Sequence, residues 1–228
     1  MNSPRDEYEK KIREAFLFFE SPEKQHEPEK PKRWQDDVIV GLIPPGSKVL
    51  DFGCGSGELL SRLIREKKIF GQGIEHDPEN VFRCLERKIA VFQINFEKGL
   101  QFYGDGTFDY VILEDTIQTL KRPMAALKEM LRIGTYGIIT CPNFAHWKVR
   151  RFLAAEGRMP KSRTLPYEWY DTPNIHLCTV NDIVDWIERN GLDIAAGYSY
   201  FDNAVSDFTR EDDLLAEEVL LVVRRSEN

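Results

Sequence analysis

The chain has 228 residues, a net charge of -7, 42% hydrophobic and 30% charged residues, and four cysteines. That length carries one domain of ordinary size without disulfide or metal staples, and the acidic balance argues against a general nucleic-acid binder, which is usually basic. No apolar run approaches the ~20 residues of a membrane span, the charged start Met1 to Lys11 lacks an apolar signal core, and Cys54, Cys84, Cys141 and Cys178 form no C-x-x-C pair, so a cytoplasmic protein with reduced thiols is expected.

Tyr8, Ile12, Ala15, Phe16 and Phe19 recur at helical spacing, and Pro22, Pro28 and Pro31 follow among Glu and Lys. Residues 1–32 therefore read as a short helix and a flexible linker arm. Residues 33–228 read as the main domain. Trp34 to Leu42 is a helix leading in, ended by Pro44-Pro45-Gly46. Strands are predicted at Lys48 to Phe52, Ile69 to Glu75, Val91 to Ile94, Phe108 to Leu113 and Tyr136 to Cys141. Helices fall between them: Glu58 to Lys67, one opened by Asp77-Pro78, and one around Pro123 to Ile133 that stops at Gly134. Successive strand–helix units imply an α/β protein with a mostly parallel sheet and helices on both faces. Residues 142–178 break the pattern, being rich in aromatic and basic residues without a clear period. Thr179 and Asp182 then cap a helix that ends at Gly191. Leu192 to Tyr200 and Val219 to Val223 are the last strands, with room between them only for a short helix in Ser206 to Ala216, so an antiparallel end to the sheet is the simpler arrangement.

The run Val49-Leu50-Asp51-Phe52-Gly53-Cys54-Gly55-Ser56-Gly57-Glu58 joins the first strand to its helix. Alternate glycines allow a sharp turn and close approach of a ligand, at the place where doubly wound proteins hold nucleotide-like cofactors. A dinucleotide fingerprint would need glycine at Glu58, and a P-loop would need Gly-Lys-Ser/Thr. Asp51 would repel a pyrophosphate but suits an ammonium. Glu75 stands eighteen residues past Gly57, where an acid takes ribose hydroxyls. His76 either lies against an adenine face or is simply exposed, and Asn95 can offer its amide to a base edge. S-adenosylmethionine, with its ammonium and sulfonium and no phosphate, fits this set. Asp51, Gly53, Gly55, Gly57 and Glu75 together resemble the class I methyltransferase fingerprint, which implies a Rossmann-like sheet of seven strands with the last antiparallel.

Glu114 and Asp115, after the fourth strand, are either a general base near the methyl or solvated loop acids; the Asn/Asp-Pro-Pro-aromatic run of amino-methylating DNA enzymes is absent. A methyl transfer to a good nucleophile can need only in-line positioning. The insertion is a lid over substrate, a partner-docking surface, a single-strand nucleic-acid platform that the acidic charge disfavours, or a loop that only packs. His146 is a third candidate near an acceptor. His146, His176, Cys141 and Cys178 match no usual zinc spacing, so no metal is expected.

Val49 to Leu60, Phe108 to Leu113, Gln118, Glu129 to Gly134, Pro142 to Trp147, Gly157 to Pro160 and above all Leu165-Pro-Tyr-Glu-Trp-Tyr-Asp-Thr-Pro-Asn-Ile-His176 resemble the bacterial methionine-biosynthesis protein W (MetW) family, over about residues 34 to 200. The resemblance implies a class I methyltransferase fold, a cytoplasmic location, a role in methionine synthesis and a functional link to homoserine O-acetyltransferase; it does not by itself imply catalysis. It carries over Asp51, Gly53, Gly55, Gly57 and Glu75 as cofactor residues, whereas Gln93-Ile94-Asn95 departs from the family's usual glycine and aspartate. The competing expectations are a free-standing S-adenosylmethionine-dependent methyltransferase with a small-molecule acceptor and a binding module that has lost its cofactor.

Overall fold

A computed structural model describes residues 33–94, 100–162, 164–201 and 204–226. The expected arm of residues 1–32, and Asn95, lie outside the described residues. The strands are β1 (Lys48–Phe52), β2 (Phe70–Glu75), β3 (Ala90–Gln93), β4 (Phe108–Leu113), β5 (Gly134–Pro142), β6 (Leu192–Phe201), β7 (Ala204–Asp207) and β8 (Glu218–Arg225). The helices are α1 (Trp34–Leu42), α2 (Glu58–Lys67), α3 (Pro78–Glu86), α4 (Pro123–Ile133), α5 (Trp147–Glu156) and α6 (Val180–Arg189). One sheet runs β3-β2-β1-β4-β5-β8-β6-β7. β1 to β5 are mutually parallel, and β8 inserts antiparallel between β5 and β6.

Local signals set most boundaries. Asp77 accepts the Glu79 N–H and Pro78 opens α3. Thr179 and Asp182 form a reciprocal capping box on α6. Pro123 opens α4 and its last turn runs into Gly134. Two differences from the sequence reading stand out. The sheet has eight strands rather than seven, because Ala204–Asp207 pairs with the overrunning end of β6; only Arg210–Asp213 of the expected short helix is helical, as a 3₁₀ turn. The insertion also contains α5, closed by Gly157 in the left-handed conformation (φ 61°).

The central strands are buried on both faces, and successive side chains take opposite faces with the period of two that a sheet imposes. Leu50 and Phe52 pack with Leu127, Met130, Ile183 and Ile187 on the α4 and α6 side. Val49 packs with Ile39, Ile43, Leu60 and Leu63 on the α1 and α2 side. By the same alternation Asp51 belongs to the face covered by α1. The strand order reverses between β1 and β4, and a crevice at the carboxyl ends of strands on either side of such a reversal is where open α/β sheets take ligands. The glycine loop and the Glu114-Asp115 pair both leave the sheet there.

Candidate functional site

Asp51 reaches this crevice with only 3% of its surface exposed. Burial pushes its carboxyl up to about 7, with Arg33 opposing and Asp36 and Glu75 adding to the shift. Gly53, Gly55 and Gly57 that follow all have positive φ, at 74°, 51° and 77°. A Cβ on Gly57 would stand 2.5 Å from Ile89 Cδ1 and 2.9 Å from Cys84 Sγ, whereas one on Gly55 would meet nothing within 4 Å. The loop is thus packed against α3 at one end and open in its middle.

Glu75 ends β2 buried and turned back onto this loop. Its Oε2 accepts the Gly55 N–H at 2.9 Å, and its Oε1 accepts the N–H groups of His76 at 2.7 Å and Asp77 at 2.9 Å. His76 Nδ1 lies 3.0 Å from the same Oε1, with the rest of that side chain largely exposed. Carboxylate oxygens each have two lone pairs, so Oε2 keeps one position for a further donor.

On the far side of the crevice, Glu114 is buried against Arg33, whose Nη2 lies 2.6 Å from Glu114 Oε2; Arg33 Nε is 3.3 Å from Asp36. Burial holds the Glu114 carboxyl well above the usual range; Arg33 opposes this, and Asp115 and Asp36 reinforce it. Asp115 has φ 47°, a left-handed geometry that Asp tolerates better than most residues. Its N–H donates to Thr140 Oγ1 at 2.9 Å, and that hydroxyl donates to Asp115 Oδ1 at 3.1 Å. His146 stands apart, buried just before α5, its pKa pushed down to about 4 by burial, with Glu217 opposing and Lys148 adding.

Asp115 lines a cavity of about 520 Å³, and neither Glu114 nor His146 does. Arg33, Trp34 and Gln35, at and just before the start of α1, form one wall. Trp34 Nε1 donates to Glu218 Oε2 at 2.8 Å and Gln35 Nε2 to Glu218 Oε1 at 2.6 Å. The Trp34 ring stacks on Tyr200 at 5.3 Å and 12°. Sequence reasoning missed these four polar and aromatic wall residues and Arg33, having taken α1 only as a lead-in helix. One signal was available: Glu218 stands immediately before an unbroken apolar run, Val219 to Val223.

The insertion supplies the opposite wall through residues that include Tyr167 and Asn174. The Ile175 and His176 N–H groups both donate to the Gln118 carbonyl, at 2.9 and 3.0 Å. Asn143 fixes its entry, donating to the carbonyls of Asp213 at 2.7 Å and Ala216 at 2.9 Å and accepting the Ala145 N–H at 2.9 Å. Its outer side carries Trp169 and Tyr170, 72% and 70% exposed, in edge-to-face contact. Among the described residues no group of three or more His, Cys, Asp or Glu is placed to hold a metal ion, and no helix is long and apolar enough to cross a membrane.

Residues 33–220 match the family model of "Methionine biosynthesis protein MetW". A bifunctional methionine biosynthesis protein MetXA/MetW of Rhodopirellula baltica is 36% identical over 159 residues, which is 66% of this chain and 26% of that one. Norajmaline N-methyltransferase of Rauvolfia serpentina is 28% identical over 152 residues, 62% of this chain and 50% of that one. The chain therefore spans a quarter to a half of the length of these curated relatives. Among solved structures, an S-adenosylmethionine-dependent methyltransferase of Thermotoga maritima, described as a possible histamine N-methyltransferase, superposes with a TM-score of 0.62 at 17% identity, covering 98% of this chain and 96% of that one. The fold is that of the Rossmann-like methyltransferases.

Proposed function

The chain belongs to the MetW family, and from that premise we propose that it is a cytoplasmic S-adenosylmethionine-binding protein of methionine synthesis that works with a homoserine O-acetyltransferase. The observation that carries the cofactor reading is Asp51: a buried carboxyl whose pKa burial raises to about 7, with Arg33 alone opposing, beside a glycine loop that is open at Gly55. An ammonium at this point adds a close countercharge, which lowers the cost of a buried ionised acid. Glu75 takes a ribose hydroxyl on the free position of Oε2, and His76 stands at the exposed rim where a base would lie. Gly55 keeps the middle of the loop clear of side chains, and Gly53 and Gly57 allow the positive-φ turns that flank it. When bound, S-adenosylmethionine supplies an electrophilic methyl group.

The partnership is supported by the relative that carries MetXA and MetW in one name, and by the exposed aromatic face of the insertion, since Trp and Tyr are common interface anchors. Calorimetry with S-adenosylmethionine tests the cofactor reading, and absence of both heat and thermal shift overturns it. Co-purification with a homoserine O-acetyltransferase tests the partnership.

A second reading, a free-standing methyltransferase with a small-molecule acceptor, is favoured by the cavity beside Asp115. Incubation of the protein alone with labelled cofactor and candidate acceptors separates the two, because only this reading requires label transfer without the partner.

A further inference from the structure

The cavity beside Asp115 is uneven in its chemistry. One end presents acceptors. Asp115 and Glu218 both line that end, and the Glu218 carboxyl accepts from Trp34 Nε1 and Gln35 Nε2. Gln118, 6% exposed, also lines the cavity; its Nε2 donates to the Asp115 carbonyl at 3.1 Å, and its Oε1 has no hydrogen-bond partner. The aromatic wall is the stacked Trp34–Tyr200 pair. The cation on the wall is Arg33, and its charge is taken up by Glu114 and Asp36. Among the described residues the cavity therefore offers acceptors and an aromatic face, with no unspent positive charge to hold an anion.

We propose that this cavity binds a small organic amine in its ammonium form, with its N–H groups bonded to Asp115, Glu218 and the Gln118 amide oxygen and its apolar body against Trp34 and Tyr200. Aromatic faces attract cations through the ring quadrupole, and an orphaned acceptor gains most from a charged donor. The volume of about 520 Å³ falls in the ordinary range for small-molecule sites. A carboxylate or phosphate ligand would meet the two acids at close range.

The test uses benzylamine and its neutral counterpart benzyl alcohol, titrated calorimetrically into the full chain. Benzylamine is expected to bind about tenfold more tightly than benzyl alcohol. Asp115→Asn is suited to the site because Asn also tolerates positive φ; it is expected to erase most of that preference. Equal affinity for the two probes, no binding of either, or an unchanged preference in Asp115→Asn overturns the inference. Tyr200→Leu gives a second reading and is expected to weaken benzylamine several-fold. The inference does not depend on cofactor binding: S-adenosylmethionine titrated into the same samples reports the crevice at Asp51 separately, so the two can fail independently.

Discussion

The glycine loop and the insertion both border the crevice, yet they are held in opposite ways. The loop is fixed by its near neighbourhood: three positive-φ glycines and the Glu75 carboxylate bonded to Gly55 N–H. The insertion is fixed at a distance, by Asn143 reaching Asp213 and Ala216 and by Ile175 and His176 reaching Gln118. A loop of the first kind behaves as a rigid cradle. A segment of the second kind carries one face inward to the cavity and leaves the other free for a partner.

Two substitutions break these supports. Gly57→Val is expected to have the largest effect, since a Cβ there sits 2.5 Å from Ile89 Cδ1 with φ at 77°; strain and overpacking together should cost about 3 kcal/mol or more, read by urea denaturation. Asn143→Ala deletes a buried amide that donates to Asp213 and Ala216 and accepts from Ala145. Leaving those carbonyls unpaired should cost about 2 kcal/mol. In that variant the insertion should become protease-sensitive while S-adenosylmethionine affinity changes little; equal loss of both would show that loop and insertion are not separately supported.

The same contrast explains what could be read from the chain. β1, α2, α3, α4 and the α6 capping box follow from periodicity and caps within a few residues of each other. The parallel sheet and its antiparallel close follow from the spacing of those elements. The placement of Asp51 and Glu75 beside the glycine loop was legible because each lies at a fixed offset from the glycines. Arg33, Trp34, Gln35, Gln118, Tyr200 and Glu218 were not, because their meeting depends on contacts across more than 180 residues, such as Trp34 to Glu218, and no local pattern encodes such a separation. α5 was missed for a different reason. Aromatic and basic residues blur its apolar stripe, although Val149, Phe152 and Leu153 do stand at helical spacing and Gly157 marks its end. β7 is short and lies at the sheet edge, where pairing with β6 rather than intrinsic pattern makes the strand.

Two measurements sharpen the cradle side of the comparison. Glu75→Ala should weaken S-adenosylmethionine binding at least about tenfold, which is roughly 1.4 kcal/mol, because it would remove the proposed ribose acceptor and free the Gly55 N–H at once. Unchanged affinity would mean that Glu75 does not hold the ribose. The pH response follows from Asp51. Its folded pKa of about 7 lies above the ordinary 3.8, so its contribution to the stability of the free protein is full below about pH 4 and is lost as pH rises through about 7. Cofactor binding has the opposite dependence on this group, because only the carboxylate attracts an ammonium. An α-amino group itself titrates near ~7.7–8.0, so affinity should peak close to neutrality. We expect about fivefold weaker binding at about pH 6 than at about pH 7.5, and a flat acid limb in Asp51→Asn; a flat limb in the unsubstituted protein would remove Asp51 from the cofactor site.

The smallest effect on the fold is expected at the outer face of the insertion, and there the comparison is tested most cleanly. Trp169 is 72% exposed and touches Tyr170 edge-on. Its replacement by Ala should shift stability by no more than about 0.5 kcal/mol, in contrast to Gly57 and Asn143. If this face docks a homoserine O-acetyltransferase, the same replacement should weaken association about tenfold or more, as truncation of an aromatic anchor does. Thermal melting and co-purification on one preparation read the two quantities together. Because the side chain contributes so little to the folded state, lost association with an unchanged melt can only be a property of the surface. Retained association with an unchanged melt would move the docking site off the insertion, leaving that segment as the wall of the cavity alone.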